Sequence, residues 1–355
     1  MSESPKSSVL AGDPWRLFFP LGFLAGLLAL LLWVTSLAGQ ASLAPQSHGA
    51  VMIWGFCGSV ILGFFLTAFP RQNQAGRPPL ALILGAALGQ LSFIVLGLLG
   101  QASFWWVGAA TWALVWGYGV AVAVPSLGRK WESTTAAIPL ALTAGLLALI
   151  LGSTHPGMAA EIGVHGFLLL LALALLDRML PFFSRKRIPE YSGKRLDGFL
   201  PLLAPLLLLR PVWLLDPVFR WVAGLGCGVL ILRQMWGWRT DQGLREPLVA
   251  VLHLGALWIA AGFFLDAFGL DARHLWTIGG MGTLVIGFAV RVTRGHTGLP
   301  LKLGWTGALA VLLVQGAAFS RVLGEGHWHL LAGVLMAGAC LVWIVALGMR
   351  CFRVS

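Results

Sequence analysis

The chain has 355 residues, of which 58% are hydrophobic and only 10% charged, against about 25% charged in a soluble domain. That composition excludes a soluble enzyme, a disordered chain and a secreted disulfide scaffold, and leaves lipid as the solvent. The net charge of +11, from 24 Lys+Arg against 13 Asp+Glu, reads as membrane topology rather than as a nucleic-acid footprint, because basic residues mark cytoplasmic loops.

A membrane-crossing helix needs roughly 20 apolar residues. The pattern predicts twelve, which make one all-α, polytopic membrane domain over 1–355. A short cytoplasmic N-terminus, 1–16, precedes a first span beginning near Leu17. That span is too long for the h-region of a cleaved signal peptide. Span two opens near His48, at its outer end. Spans three, four and five begin near Leu80, Phe104 and Ala136. His155 lies in the outer loop before span six, which begins near Glu161 and carries His165 one turn inside its outer end. The longest hydrophilic stretch, about 184–197, is a cytoplasmic loop.

Span seven, from about Gly198 to Leu215, is the weakest. Pro201, Pro205 and Pro211 interrupt it and Arg210 lies within it, which a kinked helix packed on its neighbours tolerates. Spans eight and nine begin near Pro217 and Pro247, with His253 toward the cytoplasmic end of span nine. Span ten begins near Arg273, with His274 at its outer end and His296 in the turn below it. Spans eleven and twelve begin near Lys302 and Trp328. His327 and His329 flank the outer start of the last span.

With the N-terminus inside, 20 of the 24 Lys and Arg residues fall on the cytoplasmic side. Only Arg210, Arg220, Arg273 and Arg321 remain outside, which supports twelve spans and an N-in, C-in orientation. Cys57, Cys227, Cys340 and Cys351 form no CxxC or CxxCH, so covalent c-type haem attachment is not expected. Gly22/Gly26 and Gly85/Gly89 have the small-xxx-small spacing that lets helices approach closely. Trp33, Trp105, Trp106, Trp213 and Trp328 fall near expected membrane interfaces.

Six of the eight histidines thus collect on the outer side, on or beside spans two, six, ten and twelve. Ionisable groups in a membrane are costly and point to function, and neutral imidazole is a common metal and haem ligand. A lone histidine at a helix end is also an ordinary interfacial residue bonded to water or backbone, so the joint pattern carries the signal. Spans two, six and ten lie four apart, which suggests a pseudo-threefold arrangement with one outer histidine per unit. Glu161 and His165, at i,i+4, share a helix face, where a carboxylate would orient the imidazole. Asp266, Asp271 and Glu325 are on the side where protons would be relayed. Paired hydrolytic acids, a Ser-His-Asp arrangement, a phosphate-binding glycine loop and a His-Glu-x-x-His motif are all absent.

Several stretches resemble the NnrS family of bacterial membrane proteins. They are Pro14-Trp-Arg-Leu-Phe-Phe-Pro-Leu-Gly22, Gly63-Phe-Phe-Leu-Thr-Ala-Phe-Pro70, Arg178-Met-Leu-Pro-Phe-Phe-Ser-Arg185 and Glu246-Pro-Leu-Val-Ala-Val-Leu-His-Leu-Gly-Ala-Leu-Trp258. His274-Leu-Trp-Thr-Ile-Gly-Gly-Met-Gly-Thr-Leu and Arg291-Val-Thr-Arg-Gly-His-Thr-Gly-Leu-Pro-Leu301 complete the set. The resemblance implies an inner-membrane protein of nitric oxide metabolism and nitrosative-stress resistance, with haem b and copper as its cofactors. Family members commonly carry a His-x-His-Glu-Met run at the start of span two. Here the run is His48-Gly-Ala-Val-Met52, so Ala50 and Val51 replace the second histidine and the glutamate, which puts the copper in question. A more remote likeness is to haem–copper oxidase subunit I, which has twelve helices and outer histidines on helices two, six and ten. Span seven here lacks the histidine pair of those enzymes, and span ten has one outer histidine where they have two, so a three-histidine copper site cannot be drawn.

The expected ligand is nitric oxide, bound or reduced near the outer face by a nitric oxide reductase-type oxidoreductase whose electron donor docks directly. His48 and His274 are the expected haem ligands, with His165, His327, His329 and His253 as further metal-ligand candidates. Arg273 and Arg321 suit the haem propionates, because a guanidinium pairs well with a carboxylate. Two readings compete: a twelve-span transporter using interior Gln90, Gln234 and Gln315, and a haem- or nitric oxide-binding protein without turnover.

Overall fold

The computed structural model describes residues 12–129, 132–324 and 326–352, and every regular element among them is helical. The principal helices are α1 (Trp15–Leu37), α2 (Pro45–Gln72), α3 (Leu80–Leu98), α4 (Phe104–Arg129), α5 (Ser133–Gly152), α6 (Pro156–Arg185), α7 (Phe199–Leu208), α8 (Pro217–Gly237), α9 (Pro247–Ala267), α10 (Leu275–His296), α11 (Gly304–Leu323) and α12 (His327–Ala346). Eleven of them are long and apolar enough to cross a membrane; α7 is not. Proline stands in the first turn of α2, α6, α8 and α9, where its missing N–H costs nothing. At α8 the Asp216 carboxylate also accepts from the Phe219 backbone N–H (2.8 Å).

The expected helix starts lie close to these bounds except at α6, which begins at Pro156 rather than near Glu161. The turn Pro156–Glu161 is more polar than the run that follows it, so hydropathy misses it. His165 therefore lies nine residues into the helix, not one turn.

Three helices form the centre. In their most apolar stretches α2, α6 and α10 have 89, 78 and 83% of residues buried, against 39–67% for the other spans. Each contains a π-helical segment: Val51–Cys57, Ile162–Leu169 and Leu275–Gly282. The segment of α6 packs on those of α2 and α10. A π segment carries an extra residue per turn, and such segments often mark functional sites. It also frees a carbonyl: that of Trp54 accepts from Gln90 Nε2, which donates to Ser59 Oγ as well (3.1 Å).

Around this centre α1 packs on α2 and α12, α5 on α4 and α6, α9 on α8 and α10, and α11 on α10 and α12. The small-xxx-small pair Gly22/Gly26 works as expected: a Cβ at Gly22 would lie 2.8 Å from the Phe56 carbonyl of α2. Gly163 in α6 admits the Trp54 ring, which a Cβ would meet at 2.7 Å. The start of α1 and the segment after α12 meet at one face, where Arg16 Nη1 donates to the Cys351 carbonyl (3.1 Å). That face is the one the basic loops assign to the cytoplasm, and the opposite one is called outer below.

Residue by residue, several expectations change. Trp105 and Trp213 are buried rather than interfacial, while Trp106 is exposed. All four cysteines are buried and free. The interior glutamines cross-link helices: Gln90 as above, Gln234 Nε2 to Asp177 (3.0 Å), and Gln315, which accepts from Trp258 Nε1 (2.6 Å) and donates to Thr283 (2.7 Å).

Candidate functional site

A cavity of about 280 Å³ lies at the outer ends of α1, α2, α6, α10, α11 and α12. Its walls are largely apolar and include Trp33, Trp54, Trp105, Met52 and Met336. Its basic lining is His48 from α2, Arg273 and His274 at the start of α10, Arg321 from α11 and His329 from α12, and the Cys57 thiol of α2 lines it as well. Among the described residues no carboxylate lines it; Glu325, expected as a proton relay, lies outside the described residues.

The π segments place these groups. His48 stands three residues before the segment of α2, and His274 immediately before that of α10. His48 stacks on Trp33, with ring centroids 4.5 Å apart, and its Nδ1 is buried without a hydrogen-bond partner. Trp54 Nε1 is likewise buried and unpartnered. A buried polar atom left unpaired costs about 1–3 kcal/mol, so these atoms mark where a ligand would be welcome. Arg321 Nη2 donates to His274 Nδ1 at 3.0 Å. Asp271 accepts from the Arg273 backbone N–H (3.0 Å), fixing the entry to α10.

The other expected ligands lie elsewhere. His165 sits in the π segment of α6 but not in the cavity, although Val164 and Leu168 line it. It packs on Trp276 and Phe263, and its Nδ1 bonds the Glu161 carbonyl at 3.0 Å, closer than the Glu161 carboxylate at 3.4 Å. A carbonyl only accepts, so His165 carries its proton on Nδ1; its Nε2 is buried and unpartnered. His253 is buried near the cytoplasmic end, with Nδ1 3.1 Å from Thr240 Oγ1 and its Nε2 packed onto Gly243. His327 is exposed beside Trp328, and only its neighbour His329 reaches the cavity. His155 is an exposed loop residue that bonds Thr154 (2.8 Å), and His296 pairs with Asp13 (3.2 Å) on the cytoplasmic face. Burial pushes the Asp13 carboxyl up, but His296 and Arg16 outweigh it and hold the group down to about 2.

Beside the cavity lies a second ionic group that the sequence did not reveal. Arg210 donates to both oxygens of Asp266 (2.6 and 2.8 Å), Arg220 to the same carboxylate (2.6 Å), and Arg210 Nε to Glu161 (3.3 Å). Arg210 also lies over the rings of Trp213 and Trp276. This explains the short α7. The chain breaks at Leu209 and resumes as Arg210–Trp213, turning the guanidinium inward. Asp266 is thereby committed to two guanidiniums rather than to proton relay. The signal available in sequence was an arginine between two prolines, Pro205 and Pro211.

A guanidinium pair, three imidazoles and aromatic walls together suit a flat apolar group that carries anionic substituents. The NnrS protein family model matches residues 9–355. The chain belongs to the NnrS family. No curated protein matches it. NnrS membership makes this a nitric oxide-related membrane protein of a family associated in general with haem and copper. Its multi-pass character agrees with the eleven long apolar helices.

The two cofactors fare differently against the NnrS residues present here. Apolar walls, imidazoles on separate helices and cations that suit carboxylates, the side chains a haem would call for, all line the cavity. For copper, no group of three or more His, Cys, Asp or Glu side chains comes together among the described residues. Ala50, where the resemblance leads one to expect a second histidine, lines the cavity with a methyl group, and Val51 is buried with its side chain near Gly97 of α3.

Proposed function

We propose that this protein is a haem b protein of the bacterial inner membrane that binds or reduces nitric oxide at its outer side, protecting against nitrosative stress. The observation that carries the reading is the outer cavity. It joins His48, whose Nδ1 is buried and unpartnered, to His274, Arg273 and Arg321 within apolar walls. The reading includes twelve crossings, N-in and C-in, with α7 and Arg210–Trp213 as the short seventh. The contact between Arg16 and the Cys351 carbonyl supports an even number. The central position of α2, α6 and α10, four apart in the chain and each with a π segment, supports a pseudo-threefold arrangement similar to haem–copper oxidase subunit I; this is analogy of fold and not of activity.

When bound, a haem supplies an iron centre able to take a diatomic ligand and an electron. The chain's own residues do the rest. His48 and His274 are the imidazoles that would hold it, with His329 the further nitrogen at the same cavity. Arg273 and Arg321 would pair with its carboxylates. Trp33, Trp54, Trp105, Met52 and Met336 exclude water, which strengthens every charge interaction inside. The donor would deliver electrons from the outer face. No step is assigned to copper, because its ligand set is not assembled.

The test is an optical spectrum of the detergent-purified protein, oxidised and reduced, before and after nitric oxide. A b-type reduced signal that shifts with nitric oxide supports the reading, and nitric oxide consumption with a reductant separates turnover from binding. A protein that stays colourless after haem supplementation overturns it and returns attention to transport.

A further inference from the structure

We propose that Arg291 and Arg187 form a binding site for the phosphate of an anionic phospholipid, where the ends of α6, α9 and α10 meet on the face that the basic loops assign to the cytoplasm. The site is at the opposite end of α10 from the outer cavity and does not depend on the haem reading.

The starting point is a buried guanidinium. Arg291 stands within two turns of the end of α10 and is only 6% exposed. It lies over the Phe183 ring of α6, 3.7 Å from the centroid. An aromatic face attracts the charge but does not accept the N–H bonds that a guanidinium directs along its edges. Nη1 is buried with no hydrogen-bond partner. A donor held away from water without an acceptor is costly, and more so when it is charged.

The neighbouring charges do not settle the account. Arg187, two residues past the end of α6, opposes the Arg291 charge, and Glu246, the residue before α9, favours it. Glu246 is itself paired with Arg187, at 3.5 Å. Two guanidiniums thus share one carboxylate, which leaves one positive charge unmatched. Arg210 shows what a matched case looks like in the same protein: it is buried to a similar degree and pairs with both Asp266 and Glu161. Arg291 has no such pair among the described residues.

The unmatched charge and the unfilled donor call for the same group, an anionic oxygen acceptor. A phosphodiester carries one negative charge and can accept from two guanidiniums. Position selects a lipid phosphate. Arg291 lies near the cytoplasmic end of a membrane-spanning helix, and basic pockets between helices at that level bind anionic headgroups. Phe182, one residue along α6, is 45% exposed, with Lys186 Nζ over its ring at 4.3 Å. Apolar surface for an acyl chain and a third cation therefore flank the two arginines. Arg187, with a side chain 34% exposed, is the rim of the site and Arg291 its floor.

The experiment uses the full-length protein, stripped of phospholipid in a non-ionic detergent and then given phosphatidylglycerol, phosphatidylcholine or inorganic phosphate. Phosphatidylglycerol at a hundredfold excess over its dissociation constant is expected to raise the wild-type unfolding midpoint by about 5 °C. Phosphatidylcholine, whose choline cancels the phosphate charge, should give a smaller shift, and inorganic phosphate none. Arg291→Met keeps the length of the side chain without its charge and should bind phosphatidylglycerol about tenfold more weakly, read by native mass spectrometry. Arg187→Gln, at an exposed position, should weaken binding similarly, and carries the test if Arg291→Met does not fold. Phosphatidylglycerol that leaves the wild-type midpoint unchanged, or that binds the folded variants as tightly as wild type, overturns the site. Protection by inorganic phosphate equal to that by the lipid overturns the lipid assignment in favour of a free anion.

Discussion

Two neighbouring groups of charged side chains on the outer face use the same residue types to opposite ends. Around Arg210, two guanidiniums are matched by Asp266 and Glu161, with bonds as short as 2.6 Å. In the adjacent cavity Arg273 and Arg321 stand with three histidines and no described carboxylate. The first group is closed and serves the fold: it ties α6, α8 and α9 to the short turn after α7. The second faces the cavity and, on the proposed reading, is the open group that meets a guest of opposite charge.

The largest effect should come from breaking the closed group. Asp266→Ala leaves the almost fully buried Arg210 without its bidentate partner, and losing one side of a buried pair costs about 3–5 kcal/mol. Thermal unfolding in detergent should register this as a marked loss of stability. An unchanged midpoint would mean that the two groups are not different in kind. Substituting the open group should do the reverse. Arg273→Met touches an exposed side chain, so stability should change by no more than about 0.5 kcal/mol. Haem affinity should fall about tenfold as a carboxylate partner is lost, measured by titration of the apo-protein. A large stability loss with no change in affinity would erase the distinction.

The smallest effect concerns Asp13, which lies on the opposite face. Its carboxyl is held down to about 2 from an ordinary 3.8. A lowered folded-state value contributes stability that is present above pH ~3.8 and lost as the pH falls through about 2. Asp13→Asn should therefore cost less than about 1 kcal/mol near neutral pH, with the two proteins converging in acid. The haem spectrum should not change, since Asp13 is remote from the cavity.

Much of this plan was legible in the sequence, and the illegible parts have a common cause. The apolar runs predicted twelve spans, of which eleven are long apolar helices and the seventh is short, and with the basic loops they grouped His48 and His274 at one end. The π segments left no trace, because α2, α6 and α10 are apolar on nearly every side. An extra residue in a turn shifts a polar stripe only where a stripe exists. For the same reason nothing in the sequence indicated which way His165 faces, and it packs on Trp276 rather than in the cavity. Arg210 looked like a flaw in a weak span until Asp266, 56 residues away, supplied its partner. Long-range polar pairs of this kind have no local signature.

The central claim is that the outer cavity holds a haem through His48. It is tested most directly by His48→Gly, purified with and without added imidazole. The b-type spectrum should be lost in the variant and restored by imidazole, which can enter the space the side chain leaves. A spectrum unchanged in His48→Gly but lost in His165→Gly would contradict the claim and move the haem to the interface of α6, α9 and α10.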